Sequence, residues 1–250
     1  LQDNVNNDSS KFNEYRDIES GFNLFDLKFE GIDTETGRYL GFDGQNLTRE
    51  DQSLRFGIGG YGTWSLSVDH KETPHNISNK AMTPYIYQGD GLYTVPAAVQ
   101  IPNPILRPSN TEAAAGVLTD NDAAAAAWLE NHLHGTELGT QRDSTSATLK
   151  YAPTKNLKLR LTYKEDHKDG TKLTYGPIGD RPPRSTNIQF TEPIDYLTRE
   201  VKFEAEYNRD NFQSLFSYLV SDFKNDVDTL TWQSIYVNPC LLYTSPSPRD

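Results

Sequence analysis

The sequence predicts an all-β fold, an antiparallel meander that forms part of a large transmembrane outer-membrane β-barrel. About eight strands are expected in this chain, as an open curved sheet with long extracellular loops. Two observations predict the fold. Apolar and polar side chains alternate in runs of about 8–12 residues, near the ~9–11 residues that a tilted strand needs to cross a bilayer. Short turns join most runs on one side, whereas two long segments separate them on the other.

The clearest runs alternate over their whole length. Residues 63–69 place Trp64, Leu66 and Val68 on one face and polar side chains on the other, and residues 157–163 repeat the pattern. The predicted strands are, in chain order, residues 22–31, 38–46, 53–59, 63–70, 144–152, 157–167, 196–208 and 212–223.

The connections between these strands are of two kinds. Residues 153–156, Pro-Thr-Lys-Asn, supply turn formers between two alternating runs, which predicts a hairpin. Residues 71–143 and 168–195 are far longer than ordinary connections, and we predict them as long loops. If the turn at 153–156 is periplasmic, the strand count places both long loops on the extracellular side.

The composition excludes several classes of protein. The chain of 250 residues has 24 Lys+Arg against 35 Asp+Glu, a net charge of −11, so nucleic acid is not an expected partner. No run approaches the ~18 apolar residues of a transmembrane helix. With Cys240 as its single cysteine, the chain is expected to have no intrachain disulfide, no thiolate metal cluster and no CxxCH haem attachment.

The last eleven residues differ from the rest. Residues 240–250 abandon the alternation, and their sequence reads as the translation of a transposase-type sequencing adapter. We therefore interpret 240–250 as a non-native tail and 1–239 as a fragment of an outer-membrane β-barrel. Since Leu1 is not an initiator methionine, we expect the fragment to begin inside a longer chain.

The alternation divides the strand side chains between two environments. In a wide barrel the polar face lines a wet lumen and the apolar face meets lipid. The predicted lumen-facing residues, where contact with a partner is expected, are Asp26, Lys28, Glu30, Arg55, Lys158, Arg160, Lys164, Glu200, Lys202, Glu204 and Glu206. The predicted lipid-facing residues are Phe25, Leu27, Phe29, Trp64, Leu66, Val68, Leu159, Leu161, Tyr163, Val201, Phe203 and Tyr207.

The sequence predicts no catalytic, cofactor-binding or metal site. His132 and His134 are spaced to share a metal ion, but no third ligand lies near them in the sequence, so a solvated pair is expected. The acidic pair Asp33 and Glu35 lacks the spacing of an EF-hand and is expected to stabilise a turn.

Several short segments together resemble the MtrB/PioB family of decahaem-associated outer-membrane proteins. The more specific are 192–196, Glu-Pro-Ile-Asp-Tyr, and 221–225, Ser-Asp-Phe-Lys-Asn. They occur in order with 69–76, Asp-His-Lys-Glu-Thr-Pro-His-Asn, and the resemblance extends over nearly all of residues 10–239.

The resemblance implies a function as well as a fold. It implies a barrel in the outer membrane of a Gram-negative bacterium that encloses a periplasmic decahaem c-type cytochrome and insulates it from lipid. Electrons would then cross the membrane to or from an extracellular multihaem cytochrome or a mineral. The barrel itself would hold no haem and would not be an enzyme. A porin or solute channel shares every strand argument, and a soluble secreted β-sandwich that binds a ligand remains a second alternative.

Overall fold

The computed structural model describes residues 14–15, 24–95, 130–177, 187–234 and 242–246. Among these residues nearly all the regular structure is β-strand, apart from a single turn of helix at residues 130–132. The strands are β1 Leu24–Asp33, β2 Arg38–Leu47, β3 Ser53–Gly60, β4 Trp64–Thr83, β5 Ile86–Tyr87, β6 Leu92–Thr94, β7 His134–Tyr151, β8 Leu157–Pro177, β9 Asn187–Arg209, β10 Phe212–Asn225, β11 Thr229–Gln233 and β12 Leu242–Pro246.

Eight of these strands form one sheet in the order β1-β2-β3-β4-β7-β8-β9-β10. Each strand therefore lies beside its neighbour in the chain, except that β5 and β6 intervene between β4 and β7. The registers of β1 with β2, β2 with β3, β3 with β4 and β9 with β10 are all antiparallel. The sheet is open, with β1 and β10 at its two edges. The predicted antiparallel meander is confirmed.

The turns follow the sequence signals. Asp33 ends β1, and its carboxylate accepts hydrogen bonds from the backbone N–H of Glu35 at 3.0 Å and from the hydroxyl of Thr36 at 2.5 Å. The Thr36 hydroxyl and the backbone N–H groups of Glu35 and Thr36 hold the pKa of Asp33 below its usual value. Gly37 closes the turn at φ +67°, a conformation that costs glycine little. The acidic pair at 33–35 therefore has the expected turn role.

A second sheet contains four short strands in the order β12-β11-β6-β5. β5 and β6 form an antiparallel pair, and β11 pairs in parallel with β6. β12 lies in the predicted non-native tail, and its backbone pairs antiparallel with β11, from Thr229 opposite Pro246 to Gln233 opposite Leu242. Pairing of the backbone says nothing about the origin of a sequence, so the adapter interpretation stays a prediction.

The bounds of the predicted long loops were wrong. β4 continues to Thr83, β7 begins at His134, β8 continues to Pro177 and β9 begins at Asn187. Parts of these outer segments, such as residues 71–76, show no apolar alternation, and in other parts it is limited to short runs such as Leu173 with Tyr175. Backbone hydrogen bonds between strands do not require alternation, and they extend the sheet through these segments. Residues 96–129 and 178–186 of the predicted loops lie outside the described residues.

The chain divides into two compact units. The first comprises residues 1–77, 139–170 and 195–226, and the second comprises residues 78–138, 171–194 and 227–250. Among the described residues, every buried hydrophobic side chain belongs to the second unit: Tyr85, Tyr93, Val95, Leu138, Phe190, Ile194, Val227, Leu230 and Trp232. The first unit is thus a sheet whose large apolar side chains are exposed or half-buried.

The second unit has an aromatic core centred on Phe190. The ring of Phe190 lies 5.5 Å from Tyr85, 5.6 Å from Tyr93 and 5.2 Å from Trp232, between centroids. Burial raises the pKa of Tyr93 to about 12. Trp232 packs directly on Gly176, where an added Cβ would lie 2.5 Å from the indole ring, so only glycine fits there. This core joins residues far apart in sequence, which is why no local pattern predicted it.

Candidate functional site

The candidate functional site is the pair of faces of the sheet in the first unit. On the polar face, a row of alternating charge crosses four strands. The register places Lys28 opposite Asp43, Asp43 opposite Arg55 and Arg55 opposite Asp69. The Nε atom of Arg55 donates to Oδ1 of Asp69 at 2.6 Å. Neighbouring strands therefore present opposite charges to each other along this row.

A second group of ion pairs joins β8 to β9 on the same face. The Nη1 atom of Arg160 lies 3.3 Å from Oε2 of Glu204, and Nζ of Lys158 lies 3.9 Å from Oε1 of Glu206. Lys202 also approaches Glu204, with Nζ 2.9 Å from Oε1. A shallow depression of about 340 Å³ is lined by Lys158, Arg160, Glu204 and Glu206, together with Tyr39 and Lys150. The depression presents both signs of charge.

The structure brings the predicted lumen-facing residues to one face. Alternation determines which side chains share a face within each strand, and the register of paired strands shows which face of one strand continues on the next. The hydroxyls of Thr148 and Thr162, 3.5 Å apart, join β7 to β8 on this polar face. The residues on it include Asp26, Lys28, Glu30, Arg55, Lys158, Arg160, Lys164, Glu200, Lys202, Glu204 and Glu206. That this face lines a lumen remains a prediction.

The opposite face of the first unit is apolar and open. Phe29 stacks on Phe42 with ring centroids 5.6 Å apart, and the register continues from Phe42 to Phe56 and Val68. Side chains on this face remain 38–49% exposed in the examples Phe25, Leu27, Phe29, Trp64, Leu161, Tyr163, Val201 and Phe203. Leu66, Val68, Leu159 and Tyr207 lie on it half-buried. The predicted lipid-facing residues therefore share a face, and contact with lipid remains a prediction.

One feature of the polar face was missed by the sequence analysis. Strand β10 is apolar on both faces, and its polar-face side also presents Leu215, Leu219 and Phe223, exposed by 65, 53 and 47%. The register sets Leu215 opposite Glu206 and Leu219 opposite Lys202. We call these three residues the apolar stripe. Their spacing of four residues was visible in the sequence, but the lipid-facing alternation of the same strand obscured it.

The apolar face ends at a row of hydrogen-bonded polar side chains. Gln52, which directly precedes β3, donates to Glu72 of β4 at 2.7 Å, and Nε2 of His70 lies 3.1 Å from the same carboxylate oxygen. The other ring nitrogen of His70 lies 2.8 Å from the hydroxyl of Thr145 in β7.

The row continues across β8 and β9. Arg199 donates to Glu165 at 2.8 Å, and Nε2 of His167 lies 2.9 Å from Asp195. In β10, Asp222 is opposite Arg199 in the register. We call this row the outer polar belt; its members are Gln52, His70, Glu72, Thr145, Glu165, His167, Asp195, Arg199 and Asp222.

The arrangement of side chains in the described residues gives no support for a metal site. Within the described residues, no three His, Cys, Asp or Glu side chains come together as metal ligands. His132 lies in the short helical turn and His134 begins β7. The prediction that the chain binds no metal remains a prediction.

The fold and the two faces define the class of protein. An antiparallel meander with one exposed apolar face and one charged face is typical of the wall of a membrane β-barrel. The part of the chain that the structure describes contains no helix long and apolar enough to cross a membrane.

The chain belongs to the MtrB/PioB family: residues 4–241 match the family model described as outer membrane beta-barrel porin, MtrB/PioB. It is 22% identical over 214 residues to the outer membrane protein MtrB of Shewanella baltica (strain OS185). That match covers 86% of this chain and 27% of the relative, so the chain spans about a quarter of the relative's length. The protein is therefore located in the outer membrane, which excludes the soluble β-sandwich alternative.

Proposed function

We propose that this chain forms part of the wall of an outer-membrane barrel that holds a decahaem c-type cytochrome against its charged face. The whole protein would thereby support electron transfer across the outer membrane. The observation that supports this role best is the polar face, together with membership of the family. That face combines paired charges of both signs with the exposed apolar stripe.

The apolar stripe favours a protein partner over water alone. A water-filled lumen is lined by polar side chains, because exposed Leu and Phe are unfavourable in water. Leu215, Leu219 and Phe223 become favourable if a partner's apolar surface covers them. Ion pairs beside the stripe, such as Lys202 with Glu204, resemble the polar rim around the apolar centre of a protein interface.

The barrel's contribution is insulation and positioning, not redox chemistry. In this proposal the cytochrome carries all the haem, and the chain itself holds no cofactor and is not an enzyme. Its exposed apolar face keeps the wall in lipid, so that the low-dielectric bilayer is separated from the charged cytochrome. A multihaem cytochrome at the cell surface is a second proposed partner.

The test is co-purification of the full-length protein from outer membranes, followed by haem staining of the gel. We expect a multihaem c-type cytochrome to accompany it in a fixed ratio. A matched preparation of an unrelated outer-membrane barrel controls for non-specific haem proteins. Purification without any haem-staining partner, from cells that express such cytochromes, would overturn the proposal.

A porin or solute channel is the second candidate, and the charged lining of the polar face favours it too. Charged rings tune the passage of ions through wide barrels. The full-length protein in a planar bilayer, measured with and without bound cytochrome, separates the two functions. An open conductance in the protein as isolated from cells supports the channel. A conductance that appears only after the cytochrome is removed supports the sheath.

A further inference from the structure

We propose that the outer polar belt lies at the level of the outer-leaflet lipid headgroups, and that lipid covers the apolar face between this belt and the periplasmic turns. The inference rests on the location in the outer membrane and not on the cytochrome. It assigns a lipid boundary to particular residues on five strands, β4 and β7 to β10, and to Gln52 just before β3, which neither the family nor the relative's name provides.

The change from apolar to polar side chains occurs at one level on neighbouring strands. On β8, Tyr163 is followed on the same face by Glu165. On β9, Val201 is followed by Arg199, and on β10 Val220 is followed by Asp222. The register aligns these steps, because Val201 is opposite Val220 and Arg199 is opposite Asp222.

The same step is found on the earlier strands. On β3 and β4, the register places Phe56 opposite Val68 and Leu54 opposite His70, so the face becomes polar beyond Leu54. His70 then contacts Thr145 of β7, which carries the boundary across to the strands described above. A chance change from apolar to polar on one strand would not recur at the aligned positions of the neighbouring strands.

The height of the apolar band below the belt also fits this boundary. On β10 this face runs from Phe212 to Val220 and is apolar except for Ser214. Eight steps of about 3.3 Å give ~26 Å along the strand, or ~20 Å across the membrane at a tilt of ~40°. This is close to the ~25 Å apolar band of outer-membrane barrels.

The chemistry of the belt and of the residues just beneath it fits the boundary as well. Tyr163 lies next to the belt on the apolar face and donates to Glu165 at 2.7 Å. Tyr218 lies on the same face, separated from the belt by Val220. Tyrosine prefers the membrane–water interface, where its ring meets lipid and its hydroxyl meets water. Arg199 pairs with Glu165, His167 with Asp195, and Glu72 accepts a hydrogen bond from Gln52. Such paired groups suit the sugar hydroxyls and phosphates of lipopolysaccharide.

The experiment measures the depth of single spin labels on β8 of the full-length protein. Cysteines are introduced as Leu161→Cys, Thr162→Cys and Asp169→Cys in a background whose native cysteines are serine. The protein is reconstituted without cytochrome into vesicles of phosphatidylethanolamine and lipopolysaccharide. Collision with oxygen reports hydrocarbon, and collision with a water-soluble nickel chelate reports water. Heat-modifiable mobility on gels confirms that each variant is folded.

We expect the label at 161 to collide with oxygen and to be shielded from nickel. The label at 162, one residue away on the opposite face, should show the reverse. The label at 169, on the same face as 161 but beyond the belt, should be accessible to nickel. Oxygen-dominated collision at 162 with nickel access at 161 would overturn the face assignment. A label at 169 as deep as that at 161 would overturn the boundary. Neither result depends on whether a cytochrome binds.

Discussion

Arg199 donates a hydrogen bond from Nε to Oε2 of Glu165 at 2.8 Å, directly above the last apolar residues of β8 and β9. The pair lies on the apolar face, two residues along each strand from Tyr163 and Val201. Two opposite charges at this position satisfy each other where the surroundings change from hydrocarbon to headgroup. The pair therefore defines how far the apolar band can rise on these two strands.

Replacing this pair with leucine should raise the lipid boundary. In the double variant Glu165→Leu with Arg199→Leu, the apolar band gains one residue on each strand, so the spin label at 169 should move closer to hydrocarbon. The nickel accessibility of that label provides the measurement. The matched control exchanges Arg160 and Glu204, a pair on the opposite face, for leucine and should leave the label unchanged.

The contact between His167 and Asp195 should depend on pH. Asp195 accepts a hydrogen bond from the ring and raises the pKa of His167, with Asp169 and Asp143 adding negative charge. Because the folded pKa is raised, the stabilisation is complete below the ordinary value of 6.5 and is lost as pH rises through the raised pKa. Both side chains are more than two-fifths exposed, so we expect well under about 1 kcal/mol after solvent screening.

The measurement is the thermal midpoint of the full-length protein in detergent micelles, compared with His167→Gln at pH 5.5 and at pH 8.5. The variant should be less stable than the wild type at the lower pH only. A difference that is equal at both values, or larger at the higher one, would contradict the assignment.

The buried carboxylate Glu192 should depend on Lys172. Glu192 is only 2% exposed, and its Oε1 lies 3.5 Å from Nζ of Lys172. The variant Lys172→Met leaves the carboxylate without its counter-charge. It should destabilise the second unit by up to about 3 kcal/mol, the lower end for broken buried pairs, because Lys172 is itself partly exposed.

Limited proteolysis of outer-membrane vesicles, followed by mapping of the cleavage sites, measures this effect. Cleavage within residues 78–95 or 171–194 should accelerate in Lys172→Met. The double variant with Glu192→Gln should recover much of the resistance, because the uncompensated charge is gone. Wild-type resistance in the single variant would show that Lys172 does not stabilise Glu192.

The apolar stripe should affect retention of the cytochrome under the proposed function. Leu219→Lys places a charge in the middle of the stripe, and the haem-staining partner should be lost more readily in salt washes. Tyr218→Lys is unsuitable as a control, because residue 218 lies on the opposite face, where the new lysine would face lipid. Gln213→Lys adds the same charge on the polar face beyond the end of the stripe, and it should have the smaller effect. Equal losses from both variants would indicate a general effect of charge.

The sequence alone predicted the two faces of the first unit, because the alternation of apolar and polar side chains dominates there. Alternation assigned Phe29, Phe56 and Val68 to one face, and the registers align them. The outer halves of β4, β7, β8 and β9 were assigned to loops, because segments such as residues 70–76 have no apolar alternation. At Gly170, φ is +128°, which also departs from regular strand geometry.

The aromatic core of the second unit could not be predicted from local sequence patterns, for a different reason. Tyr85, Phe190 and Trp232 form one core although between about 40 and about 150 residues separate them in the chain. No period in the sequence marks such contacts. The apolar stripe could have been predicted, because Leu215, Leu219 and Phe223 recur every four residues. Predicting it would have meant considering a strand that is apolar on both faces.

The open edges of the eight-stranded sheet have a consequence for aggregation. Among the described strands, β1 and β10 have no partner on their outer sides along ten and fourteen residues, with exposed apolar side chains beside them. In a longer chain, further strands that pair with β1 and β10 would remove both edges. A truncation that removes those strands would leave a folded sheet that can pair with other chains and aggregate through its edges.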